Sequence, residues 1–409
     1  MFKSFDRNTK FRILVGFLVI SMASLRYLPL AQPIGLDLYN LVVYQKCATH
    51  LSPYLIDAHT CGDVLDRYMS YPPLLFHSFR WLRPLSLEAA MRVWTVVSVL
   101  SMALVLYVWA RWIAPRVGHE RSWETVIFGG LMLFQYPFVF EIERGQSDVV
   151  PVVLLTAGAL LFTRKRYALS GVVVGVATAY KLYPIFPCIV FTIGLFLVWL
   201  KRARRGPLDW LRFGASAVCG FMAVNLLFLS DAKLYFFKVL PGVSAAYIPA
   251  HIWVHAHSYV SLGGAQYTSF SLAICAGFLA LWGWAAGQAM LRDDAPLALA
   301  GGLAISTYFS AFSFDYNLVT AYPLLMLLFL QARLTDRWGV LAFGLFAIFG
   351  ERQIFSEPQS LLLNPTMHIM VQLAFLAVAA VAVARPAPAA PTSALSHAEG
   401  GLDDARPAS

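Results

Sequence analysis

"YALSGVVVGVATAYKLYPIFPCIVFTIGLFLVWLKRARR", Tyr167 to Arg205, decides the class of fold. Two apolar runs, near 168–183 and 185–200, are parted by the segment from Lys181 to Pro184 and end in the basic cluster Lys201 to Arg205. Runs of roughly 17–25 apolar residues cross the ~30 Å of hydrocarbon in a bilayer, and cytoplasmic loops retain Lys and Arg. The stretch therefore predicts a pair of membrane helices whose basic end faces the cytoplasm.

The pattern repeats along the chain. Of its 409 residues, 59% are hydrophobic and 13% charged, against about 45–50% apolar and about 25% charged in soluble domains. About twelve candidate spans follow, near 13–30, 91–111, 125–140, 149–163, 168–183, 185–200, 213–230, 269–291, 296–312, 318–332, 338–355 and 367–384. With the amino terminus inside, Arg116 and Arg121, Arg164 to Arg166, Lys201 to Arg205, Arg292, and Arg333 with Arg337 all fall on the cytoplasmic side. The net charge of +9 reflects that asymmetry and is no sign of nucleic-acid binding. No convincing small-residue cleavage site follows the first apolar run, so an uncleaved first helix is preferred to a signal peptide.

The predicted fold is an all-α polytopic membrane domain over residues 1–385, with a Pro-, Ala- and Ser-rich disordered cytoplasmic tail over 386–409. Gly171 and Gly175 are read as letting helices approach closely in lipid. The longer outer loops cover about 31–90, 141–148, 231–268, 313–317 and 351–366. In the first of them, Leu38, Leu41, Val42 and Gln45 recur at helical spacing, and Pro72 and Pro73 mark a second start, predicting interfacial helices. Cys47 and Cys61 share that loop, and their spacing leaves open whether they are bonded.

Polar residues at membrane depth are expensive, so those at the outer helix ends are the functional candidates. Asp37, followed by Tyr39 and Tyr44, reads either as an N-cap for a helix beginning near Leu38 or as a catalytic carboxylate. "EIERGQSDVV" holds Glu141, Glu143, Arg144, Gln146 and Asp148, and Gly145 permits a tight turn, with a plain polar hairpin as the alternative. Lys181, at a helix end, suits a phosphate but could equally snorkel to the headgroups. In "HIWVHAHSYVSL", His251 and His255 stand at i, i+4 without an HExxH motif or an acidic third ligand, so His255, His257 and Ser258 read better as a sugar-binding surface than as a metal site. Asp315, Tyr316 and Asn317 open a late helix, and Arg352 is a further outer cation.

Taken in order, "DLYN…LSPY", "YPPLLF" with Tyr71, "RGQSD", "SGVVVGVATAYKLYPIF" and "SFDYNLVTAYPLL" resemble the GT-C membrane glycosyltransferases. They are most similar to glycosyltransferase family 87, which contains polyprenol-phosphate-mannose-dependent α-mannosyltransferases. The chain departs from the pattern at Tyr316 and Asn317, where histidines are frequent, and at His257 before Ser258, where an Asn-Gln is frequent.

The resemblance implies a sugar, mannose by analogy, passing from a polyprenyl-phosphate donor to a glycolipid or glycan acceptor on the outer face of a bacterial-type plasma membrane. Asp37 would be the general base, and Lys181, Arg144 or Arg352 would hold the donor phosphate. Tyr39, Tyr44, Tyr71, Gln146, Asp148, His255, His257, Ser258, Asp315, Tyr316 and Asn317 would line the sugar and acceptor site. No cofactor or metal is implied, and the partners are the lipid-linked sugar donor, the glycolipid or glycan acceptor and membrane lipids. A polysaccharide polymerase or ligase and a secondary transporter are the competing readings. A transporter should gather its polar sites near the membrane midplane in repeated halves.

Overall fold

The computed structural model describes residues 6–23, 35–48, 51–56, 61, 69–113, 123–202, 208–242, 269–309, 315–335, 338–350 and 365–385. Among these the chain is all-helical, as expected. The first helices are α1 (Arg7–Ala23), α2 (Leu36–Cys47), α3 (Pro73–Ser78) and α4 (Leu87–Val108), the last running into a π turn over Trp109–Ile113. Next come α5 (Trp123–Leu133), α6 (Tyr136–Arg144), α7 (Val149–Thr163), α8 (Tyr167–Tyr180), α9 (Ile185–Lys201), α10 (Asp209–Leu227) and α11 (Leu229–Leu234). The later helices are Ser269–Leu291, Ala295–Phe309, Tyr322–Thr335, Trp338–Leu345 and Pro365–Ala384, with a 3-10 turn over Asp315–Ala321.

Every predicted apolar run overlaps one of these helices, but the lengths do not carry a count of twelve crossings. Among the described residues, three helices are long and apolar enough to cross a membrane alone: Leu87–Ile113, Asp209–Leu227 and Ala273–Leu291. The pair α5 and α6, bent by 46°, makes a fourth if taken as one span. The reason is local. Polar turns cut the runs, so that α7, with 15 residues, reaches only about 22 Å at 1.5 Å per residue.

The 125–140 run breaks because Pro137, in the first turn of α6, has no N–H to continue the preceding helix. Buried Gln135 fills the gap, its side-chain amide donating to the carbonyls of Leu131 and Leu18, both at 3.1 Å. Backbone groups freed by a break in an apolar setting need such partners.

Helix α4 displays the membrane pattern directly. Ala90, Trp94, Ser98, Met102 and Val105 are buried, while Val93, Val96, Val97, Leu100 and Leu104 form an exposed apolar stripe at i, i+3, i+4 spacing. An apolar outer face that wide suits lipid contact.

Gly171 and Gly175 do what their spacing predicts. A Cβ on either would stand 2.2 Å from the Phe213 carbonyl oxygen or 2.1 Å from that of Ala217, so α8 and α10 touch backbone to backbone. Gly220 returns the contact, its Cβ position lying 2.5 Å from the Val172 carbonyl oxygen.

The described parts of the first loop include the helices α2 and α3. Helix α2 buries Leu36, Leu38, Leu41, Val42 and Tyr44 against its neighbours, and Pro72 precedes α3 as expected. Cys47, at the end of α2, is disulfide-bonded to Cys61. The tail over 386–409 lies outside the described residues.

Candidate functional site

The turn Arg144 to Asp148 organises the site. Helix α6 ends in a Schellman arrangement, with Gly145 N–H donating to the Ile142 carbonyl and Gln146 N–H to that of Glu141, each at 3.0 Å. Gly145 sits at φ 66°, the left-handed region that glycine enters without strain. A Cβ there would lie 2.6 Å from Leu38 Cβ. The turn is therefore packed directly on the first turn of α2.

That packing positions Asp37. Gly35 precedes α2 at φ 74°, and its N–H donates to the Glu143 carbonyl at 2.6 Å. The N-cap position belongs to Gly35, with no side-chain capping bond, and Asp37 lies one residue inside the helix. The capping expectation for Asp37 is thus corrected: the helix begins at Leu36, not Leu38. The carboxylate turns instead to Arg144, whose Nε donates to Oδ2 at 2.6 Å, with 11% and 19% of the two side chains exposed. Its place in the first turn also sets the carboxylate against the positive end of the helix dipole.

On the far side of the turn, Glu141 Oε1 accepts from the N–H groups of Asp148 and Val149, at 2.7 and 3.2 Å, and closes the start of α7. Asp148, fully buried, makes no capping bond itself. Its carboxylate accepts from Lys181 Nζ at 2.6 Å and from Asn317 Nδ2 at 2.8 Å. Lys181 reaches Gln146 Oε1 at 3.3 Å, and Trp94 Nε1 donates to the Gln146 carbonyl at 2.7 Å. Lys181 faces these partners, and its side chain is 13% exposed. Two of the carboxylates, Asp37 and Asp148, are each met by one cation, as buried charges require.

Asp37, Arg144, Gln146, Asp148, Lys181 and Asn317, from four separate sequence motifs, thus meet around one five-residue turn. Tyr44 is buried in the core, while Tyr39 and Tyr71 are half-buried. Asp315 and Tyr316 lie on the 3-10 turn with Asn317, their side chains outside the description. His255, His257, Ser258 and Arg352 are outside the described residues.

Several polar atoms here are buried without a hydrogen bond: both carboxylate oxygens of Glu143, Ser147 Oγ, and the Tyr180 hydroxyl. Tyr180 neighbours Ser78 and Ser147 but meets neither in hydrogen-bond geometry. Unpaired buried polar groups are few in folded proteins and mark places where a ligand or water belongs.

Sequence reasoning gave no role to Glu141, Trp94 or Gly35, and it overlooked the pair formed by His77 on α3 and Asp231 on α11, 2.8 Å apart. Only Glu141 stood inside a motif. A tryptophan in an apolar run and a histidine separated from its acid by 154 residues carry no local signal.

Residues 68–313 match the sequence model of glycosyltransferase family 87. No curated protein matches the chain. Arg144, Gln146, Asp148 and Lys181 lie inside the matched stretch, whereas Asp37 and Asn317 lie outside it.

Proposed function

The chain belongs to glycosyltransferase family 87 and is a membrane glycosyltransferase, and from that premise we propose that it moves a sugar, mannose by family analogy, from a polyprenyl-phosphate donor to a hydroxyl of a glycolipid or glycan acceptor. The observation that carries the reading is the convergence of the Asp37 carboxylate with Arg144 and Lys181 on one buried turn. A carboxylate, two cations and unpaired buried polar atoms are what a hydroxyl nucleophile and a phosphate leaving group need.

In this mechanism Asp37 takes the proton of the acceptor hydroxyl, within hydrogen-bond reach, as the oxygen attacks the anomeric carbon. The new carbon–oxygen bond forms as the bond to the phosphate breaks on the opposite side. The anomeric centre inverts, and the electron pair leaves with the polyprenyl phosphate. Arg144 fixes Asp37 Oδ2 and brings a positive charge beside it. Lys181 supplies the second cation, held by Asp148. Positive groups aimed at the departing phosphate stabilise the transition state, where the charge develops. Arg352 is the third proposed phosphate partner. Tyr39, Tyr71, Gln146 and Asn317, with His255, His257, Ser258, Asp315 and Tyr316, would contact the sugars. The reaction takes place on the outer face of the membrane, where the donor is delivered through the lipid.

The test is to incubate the purified protein in lipid with labelled polyprenyl-phosphate mannose and candidate glycolipid acceptors. Label should appear in the acceptor. Absence of transfer from any polyprenyl-phosphate sugar, with uptake of a solute into vesicles, would overturn the reading in favour of transport.

A further inference from the structure

A second buried polar pair joins α3 to α11. His77 Nε2 and Asp231 Oδ2 lie 2.8 Å apart with 10% and 12% of their side chains exposed. The Phe228 ring stacks on the imidazole at 4.3 Å and 17°, and Phe76 meets it edge-on at 5.4 Å. These contacts fix the ring plane. The other ring nitrogen, Nδ1, is buried and has no hydrogen-bond partner.

The carboxylate settles what Nδ1 can bind. Asp231 accepts a hydrogen bond, so Nε2 carries its proton, and Nδ1 is an acceptor in the neutral ring or a donor in the charged one. A hydroxyl satisfies either form, because it both donates and accepts.

Two chains of neighbours connect the segment of His77 to the elements of the proposed reaction centre. The Gln45 side-chain amide of α2 donates to the Phe76 carbonyl, and Gln45 lies about 12 Å along the helix from Asp37, at 1.5 Å per residue. Ser78, next to His77, neighbours the Tyr180 hydroxyl, which in turn neighbours Ser147 of the turn. Both chains of neighbours run from the segment of His77 to α2 and to the turn, the two elements that carry Asp37 and Arg144.

We infer that His77, oriented by Asp231, binds a hydroxyl of the acceptor glycan, in a subsite next to the one whose hydroxyl reacts. The inference rests on the proposed transfer to a hydroxyl-bearing acceptor. His77 is a specificity residue here and takes no part in bond making.

Two substitutions separate binding from scaffolding. In His77→Gln the amide nitrogen replaces Nε2 and keeps the link to Asp231, but nothing replaces Nδ1. In His77→Asn the amide group falls near Nδ1, and the link to Asp231 is lost. Binding of methyl α-mannobioside to the protein in lipid nanodiscs is read by saturation-transfer NMR with no donor present. The Gln variant should bind about tenfold more weakly, as expected for one lost hydrogen bond, while the Asn variant stays nearer to wild type. In transfer assays the Gln variant should raise the acceptor KM and leave the donor KM unchanged.

A purely structural histidine predicts the reverse order, and that order overturns the inference. So does equal binding by all three proteins, or no binding by the wild type. Should the Gln variant fail to fold, the nitrogen-15 resonance of His77 Nδ1 in the wild-type protein decides: it shifts on titration with the disaccharide, or the inference fails. Both binding readouts omit the donor, so a failure of transfer counts against the proposed reaction and a failure of binding against the subsite.

Discussion

Arg144 Nε donates to Asp37 Oδ2 across 2.6 Å, joining residues 107 positions apart in the chain. The contact makes the first turn of α2 and the end of α6 one unit. It also explains why a carboxylate is kept at a helix start where it does not cap.

Removing the cation should be costly. Arg144→Met leaves the largely buried Asp37 carboxylate without this partner, and losing one member of a buried pair destabilises by about 3–5 kcal/mol. Thermal unfolding should show that loss together with loss of transfer. The double variant with Asp37→Asn should recover part of the stability and none of the activity.

Lys181→Met should resemble it on the other side of the turn. Fully buried Asp148 would keep Asn317 and lose its ammonium, again at about 3–5 kcal/mol. Lys181→Arg tests phosphate contact, because the planar guanidinium differs in shape from an ammonium. With the protein folded, the donor KM should rise and the acceptor KM should stay as it was.

Gly145→Ala should move Asp37 without touching it. The new methyl group meets Leu38 Cβ at 2.6 Å, and the left-handed backbone adds roughly 1–2 kcal/mol of strain. The expected result is a small drop in unfolding temperature with a much larger drop in transfer rate, since a 1 Å misplacement can slow a reaction about 100-fold.

The His77–Asp231 pair predicts an acid dependence of stability. Burial pushes the Asp231 carboxyl up, but the hydrogen bond and charge of His77, with the charge of Arg80, outweigh it and hold the group below its ordinary 3.8. The unfolded chain then binds the proton more readily than the folded one. The stabilisation is fully present above that ordinary value and is lost as pH falls through the lower folded value. Unfolding temperature should therefore fall more steeply below about pH 4 for the wild type than for Asp231→Asn.

Much of this was legible in the sequence because it depends on local chemistry. Apolar runs gave the membrane class, Gly171 and Gly175 the close helix contact, Pro73 the start of α3, and Gly145 the tight turn. Span count was not legible, because hydropathy registers apolar length and overlooks where Gln135 and Pro137 divide a run into two short helices. The cap at Gly35 escaped notice for a related reason: aspartate is the commoner capping residue, and only the backbone angle shows that glycine took the position. Pairings such as Asp148 with Asn317 and His77 with Asp231 are set by how helices distant in sequence pack together, and no spacing rule encodes them.

Asp37 as general base is the central claim, and Asp37→Asn tests it most directly. Asparagine nearly preserves the shape of the side chain and can still accept from Arg144, but it cannot take a proton. With labelled polyprenyl-phosphate mannose and a glycolipid acceptor, the variant should stay folded and still bind donor while its transfer rate falls by about 100-fold or more, the scale of general-base catalysis. A folded Asp37→Asn protein that transfers sugar at the wild-type rate would contradict the account.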